Sequence, residues 1–232
     1  MTTKKKSRPV RRLSKGAKPR PSSNRKKKTT RKRTPRQLML ADLKRSGLTD
    51  GDARKAGYKP QTAQQINKLT GNYAAGYLIP YHDVNGKKTK YWRVRYTEEV
   101  KGAFGSSKKK PLRYTGPPGE IPRFHYPPGY DWRSLAKDTS ESLIITEGEK
   151  KALKACKSGL PTIAVAGVWS WRSKKKGVAA IPDFDEIEWR GRKVYLAFDN
   201  DLMTKPDVVA ALNALAHELT MRGAKIVIKY LQ

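Results

Sequence analysis

From Ser142 onward the chain alternates short apolar runs with amphipathic stretches, and this rhythm limits its fold more than any other feature. "LIITEG", "PTIAVAG", "KVYLAFDND" and "KIVIKYL" each read as a buried strand. Between them, "EKKALKACKSG" reads as a helix closing at Gly159. "PDVVAALNALAHELTMRGA" reads as a helix with Pro206 in its first turn and Gly223 at its end. Strands that are apolar on both sides, alternating with helices, imply an α/β fold with a mostly parallel sheet covered on both faces.

In open sheets of this kind, ligands bind at the carboxyl ends of the strands. The first strand ends at Glu147-Gly148 and the third at Asp199-Asn200-Asp201, while Gly167 closes the second at the same edge. A buried strand gains nothing from negative charge at its tip unless a cation, a proton or a helix dipole waits there. Each carboxylate alone suits a helix N-terminus, worth about 0.3–1 kcal/mol. If the first and third strands are neighbours, the three converge into a site for a hard cation, Mg²⁺ or Mn²⁺. Such a cation would bridge to phosphate oxygens and offset their charge.

Charge names the partner such a site would meet. The 232 residues carry a formal net charge of +31. Residues 1–36 supply +17 of it without one acidic residue, so the remainder is itself at +14. A basic tail on a basic body points to a polyanion, because neutralising phosphates releases counterions. The expected partner is DNA, single-stranded in the first instance, or RNA. One cysteine, Cys156, and three scattered histidines exclude a disulfide framework and argue against a structural zinc site. No run approaches the ~20 apolar residues of a membrane span, and no signal peptide opens the chain. The expectation is a protein without a membrane partner in a reducing compartment, cytoplasmic and nucleoid-associated.

The organisation expected along the chain has four parts. Residues 1–36, rich in Lys, Arg, Pro and Ser, bury too little to offset ordering entropy and read as a disordered tail. Residues 37–72 read as short helices, one capped by Thr49 or Asp50, that pack on the next unit or form a helix-turn-helix piece. Residues 73–135 hold a hairpin turning at Asn85-Gly86, then a Pro/Gly-rich wrap. In its second strand, "KYWRVRY", Arg93 and Arg95 share a face with Tyr91, opposite Trp92, Val94 and Tyr96. That basic face suits a nucleic-acid strand and equally an ordinary amphipathic strand. Residues 140–232 form the parallel-sheet domain.

The loop "VAGVWSWRSKKKG" is the second candidate contact. Trp169, Trp171, Arg172, Lys174, Lys175 and Lys176 combine stacking surfaces with phosphate partners, with at least one tryptophan expected in the core. Asp183, Asp185, Glu186 and Glu188 read as a solvated acidic turn, and Cys156 as packed rather than reactive.

Glu147-Gly148 after an apolar strand, Gly167, Asp199-x-Asp201, a helix and "KIVIKYL" together resemble a Toprim domain. "LIITEGEKKALKA", "AVAGVWSWR", "WRGRKVYLAFDND", "PYHDVNGKKTKYWRVRY" and "RYTGPPGEIPRFHYPP" are similar to the Toprim-like region of phage and plasmid primase–helicase proteins, over about residues 70–232. The resemblance implies Glu147 as the acid or base near the transferred phosphate, with Asp199 and Asp201 as metal ligands. It implies a Toprim-like sheet, primase-type nucleotidyl transfer in phage or plasmid DNA replication, and a replicative helicase as partner. Where many Toprim primases carry an acid four residues after the first glutamate, this chain has Lys151. That departure makes Lys150 or Lys151 a candidate phosphate contact and Glu149 a candidate auxiliary carboxylate. No P-loop and no zinc ribbon stands in these 232 residues, so a self-sufficient primase–helicase is not expected of them. The other readings are a non-catalytic DNA-binding replication accessory and a Toprim-type nuclease.

Overall fold

The computed structural model describes residues 32–100, 111–173, 176–198 and 205–230. The expected tail to residue 31 lies outside the described residues, as do Lys174, Lys175, Asp199 and Asp201. The chain enters at α1 (Pro35–Lys44), whose N-cap Thr34 and Gln37 form a reciprocal capping box. The helix therefore starts within the stretch expected as tail. A second box, Thr49 with Asp52, opens α2 (Asp50–Lys55), and a third, Thr62 with Gln65, opens α3 (Ala63–Thr70).

Between α2 and α3 lies β1 (Lys59–Gln61), the first strand of an antiparallel sheet. The hairpin β2 (Gly76–His82) and β3 (Lys88–Tyr96) and the short β4 (Tyr114–Thr115) complete it in the order β1-β2-β3-β4. Gly86 turns the hairpin with φ +77°, a conformation cheap only for glycine. Met39, Leu43, Leu48 and Ala53 pack on Tyr58, Tyr77, Ile79 and Tyr81, so α1 and α2 are bound to this sheet through their apolar faces.

After α4 (Trp132–Lys137) comes the second sheet, all parallel: β5 (Leu143–Glu147), β6 (Thr162–Val165), β7 (Lys193–Phe198) and β8 (Lys225–Tyr230). Its order is β6-β5-β7-β8. The helix α5 (Glu149–Lys157) joins β5 to β6, and α6 (Pro206–Met221) joins β7 to β8. The expected α/β architecture with a parallel, helix-flanked sheet after a small β-rich region is what the chain forms.

The two crossovers run outward in opposite directions from the β5–β7 pair. Right-handed connections then put α5 and α6 on opposite faces. Leu212, Leu215 and Leu219 of α6 join Leu143, Ile145, Val194, Leu196 and Phe198 in the largest core, with Phe184 and Trp189. Coverage of the other face departs from expectation. α5 lies over β5 and β6, while Lys193, Lys225 and Lys229 are exposed on β7 and β8, and Tyr195, Ala197 and Val227 half-exposed.

Candidate functional site

The β5–β7 pair is the point from which the connections diverge, where open α/β sheets bind their ligands. Thr146 pairs with Ala197 in parallel register, so Glu147 and Phe198 end adjacent strands at one level. Asp199-Asn200-Asp201 follows Phe198 directly in the sequence. The Thr146 hydroxyl donates to the Ala197 carbonyl at 2.6 Å, and the Gly148 N–H donates to the Val165 carbonyl at 3.0 Å. The end of β5 is thus fastened on both sides, with Glu147 half-buried between. Gly148 has φ +92°, which turns the chain sharply into α5.

The next residue is one whose weight sequence reasoning missed. Glu149 is fully buried at the start of α5. The Tyr81 hydroxyl donates to its Oε1 at 2.6 Å and Arg93 Nη1 donates to the same oxygen at 2.9 Å. Arg93 Nη1 also donates to the Ala166 carbonyl at 2.6 Å, just past β6. One guanidinium therefore ties the start of α5 to the loop leaving β6, next to the Glu147 edge. Burial alone would raise the Glu149 carboxyl, but the Arg93 charge and the Tyr81 hydrogen bond hold it below the usual range.

His125 borders this cluster. Its backbone exchanges two hydrogen bonds with Ala164, adding an antiparallel bridge at the β6 edge. Its ring meets Tyr81 edge-on at 5.1 Å. Burial pushes its imidazole down to about 4.

A second buried carboxylate, Asp42 of α1, draws in the other hairpin arginine. Arg95 Nη2 donates to it at 3.2 Å, the Tyr77 hydroxyl at 2.8 Å, Lys150 Nζ at 2.8 Å and Arg45 Nη2 at 2.5 Å. Burial opposes ionisation, yet Arg95 and Lys150 hold the Asp42 carboxyl well below its ordinary range. Lys150 belongs to α5, so this ion pair, like Arg93–Glu149, joins the antiparallel layer to the parallel one.

These two clusters correct the expected nucleic-acid face. Arg93 and Arg95 point inward, with side chains 12% and 11% exposed, and their guanidinium groups serve Glu149 and Asp42. Both faces of β3 are covered: Val94 and Tyr96 pack with Ile66 of α3, while Tyr91 joins the cluster holding Leu43 and Leu153. Lys150 is likewise committed to Asp42, and Lys151 is half-buried.

In the loop after β6, Trp171 is buried in the main core, which removes it from the expected stacking set. Trp169 is half-buried, its ring 6.4 Å from that of Trp171 and nearly parallel. The Arg172 guanidinium lies 3.9 Å over the Trp169 ring. Lys176 is exposed. The acidic turn also departs from expectation: Asp183 is fully buried, 2.7 Å from Arg123 Nε and accepting from the Phe124 N–H. Burial raises it to about 6. Cys156 is buried as expected, and burial lifts its thiol to about 11.

Among the described residues no three His, Cys, Asp or Glu side chains group as a metal site. The donor set in question is Glu147 with the two aspartates beyond Phe198, all hard oxygen ligands of the kind Mg²⁺ and Mn²⁺ take.

Residues 131–232 match the family described as Domain of unknown function (DUF3854). The DUF3854 match takes in α4 and the whole parallel sheet, including Glu147 and the β5–β7 edge, and leaves out the antiparallel layer that buries Glu149 and Asp42. No curated protein matches the chain.

Proposed function

We propose that this chain is a nucleic-acid-binding, Toprim-like protein of phage or plasmid DNA replication with Mg²⁺-dependent, primase-type nucleotidyl transfer. The observation that carries this reading is the adjacency of β5 and β7. It ends Glu147 and Phe198 side by side at the divergence point of the sheet, with Asp199 and Asp201 next in the chain. The scaffold around Glu147 is correspondingly fixed, by Thr146 to Ala197, Gly148 to Val165, and Arg93 to Ala166.

In this reading Asp199 and Asp201 would hold the cation and Glu147 would share it or move a proton beside the transferred phosphate. When bound, the cation offsets phosphate charge as the new bond forms. Trp169, capped by Arg172, offers a stacking surface, and Lys176 a phosphate contact, in the loop that leaves the same strand edge. The template is single-stranded DNA or RNA, brought by a separate replicative helicase.

The test is to incubate purified protein with single-stranded template, NTPs and Mg²⁺ or Mn²⁺, beside E147A and D199A. Oligonucleotide products that vanish in both variants are expected. Nicking in place of synthesis would make the protein a nuclease. Template binding with neither product nor nicking, unchanged in both variants, would make it a non-catalytic accessory.

A further inference from the structure

The open half of the parallel sheet carries an inference independent of the metal edge. Beside α5, on the face away from α6, runs a groove of about 390 Å³. Its floor is mostly apolar: Ile144 of β5 and Ala197 of β7 lie beside Thr146 and Thr162, whose hydroxyls are spent on backbone carbonyls, with Leu160 and Ala155 at its margin. The floor continues across Tyr195 and Val227, which share this face by register and join none of the described hydrophobic clusters.

Lysine borders the groove on both sides. On the α5 wall stand Lys154, exposed, and Lys151, half-buried, while Lys150 beside them is already taken up by Asp42. Lys193, Lys225 and Lys229 stand on β7 and β8, all three exposed, and no acidic residue lies on this face of those strands. Lys193 and Lys229 lie 5.3 and 5.9 Å from the Tyr195 ring centre, gathered over the floor.

We propose that this groove docks an acidic amphipathic helix of a partner protein, completing the helical layer that α5 begins. An apolar floor calls for an apolar stripe on the occupant, and a lysine border on both sides calls for acidic flanks. Phosphates would meet the border but leave the floor unused, since Tyr195 is the one aromatic on it. The chain's own residues 1–31 are basic without an acidic residue, so like charge keeps them out. A helix of about 14 residues spans ~20 Å, the length of a six-residue strand.

The probe is a fluorescent helical peptide of about that length, with leucine on one stripe and glutamate on both flanks, titrated into the full chain by anisotropy. Binding is expected to weaken at least about tenfold in K193E/K225E/K229E, whose changes are all on exposed side chains and whose fold is checked by circular dichroism. It is also expected to weaken when the leucines become serines, and to survive deletion of residues 1–31. No binding, binding indifferent to the triple change, or equal binding of the serine peptide would overturn the proposal. So would a single-stranded dT oligomer losing affinity in the triple variant while the peptide does not, which would assign the face to nucleic acid.

Discussion

Arg93 and Glu149 show how much this molecule rests on a few interior charges. Removing one member strands the other in a buried site, typically at a cost of about 3–5 kcal/mol, whereas removing both costs far less. R93M is therefore expected to lower stability by roughly that amount in urea unfolding, and R93M/E149L to recover much of it. An additive double variant would mean that the two groups do not act as a pair. His125 and Asp183 titrate in opposite senses. The folded imidazole resists protonation down to about 4 while the unfolded one accepts it near 6.5, so His125 lowers stability as pH falls through that window. Folded Asp183 keeps its proton up to about 6 against 3.8 unfolded, so its contribution is lost as pH rises through that range. Each slope reaches at most about 1.4 kcal/mol per pH unit, and between about pH 4.5 and 6 they offset one another. H125Q should leave stability falling with pH there, and D183N should leave it rising, by urea midpoints. Wild-type slopes in both variants would show that neither group titrates as its burial implies.

The same interior charges explain which elements were legible in the sequence and which were not. All four parallel strands and both crossover helices stand in the sequence because fully buried strands must be apolar runs and their helices amphipathic. The carboxyl-edge positions of Glu147 and Gly148 follow from those boundaries. The hairpin was equally plain, but alternation in "KYWRVRY" says which residues share a face and not what covers that face. What covers it is Glu149, 56 residues from Arg93, and Asp42, 53 residues from Arg95. Nothing local marks either acid: Glu149 sits where any helix welcomes a negative charge, and Asp42 lies in an ordinary amphipathic turn. An arginine pair among the aromatic and aliphatic residues of Tyr91–Tyr96 was the available signal, since unpaired buried cations are rare. The β2–β3 pairing has its own test. A Cβ on Gly76 would stand 2.2 Å from the Arg95 carbonyl oxygen, so G76A forces the two strands apart. It should cost about 1–3 kcal/mol in unfolding free energy and expose the amides of β2 to hydrogen exchange. Unchanged protection would show that the strands can part there at little cost.

At the scale of the molecule, an antiparallel layer with its helices is bolted by buried ion pairs to a parallel sheet whose carboxyl edge carries the candidate chemistry. The basic residues divide accordingly: Arg93, Arg95 and Lys150 hold the layers together, and the proposed polyanion contact is left to the tail, Lys176 and Arg172. Because Thr34 caps α1, the tail is cut at residue 31 to leave the fold intact. The deletion should flatten the salt dependence of oligonucleotide binding while leaving cation binding unchanged; an unaltered slope would remove the tail from the phosphate contacts. The central claim is that Glu147 and the aspartates after β7 form one cation site at the β5–β7 edge. Titration of Mn²⁺ followed by electron paramagnetic resonance tests it most directly, on the wild type and on E147A, D199A and D201A. The account predicts one tightly held ion that each substitution weakens sharply. Equal Mn²⁺ binding by the wild type and all three variants would contradict it.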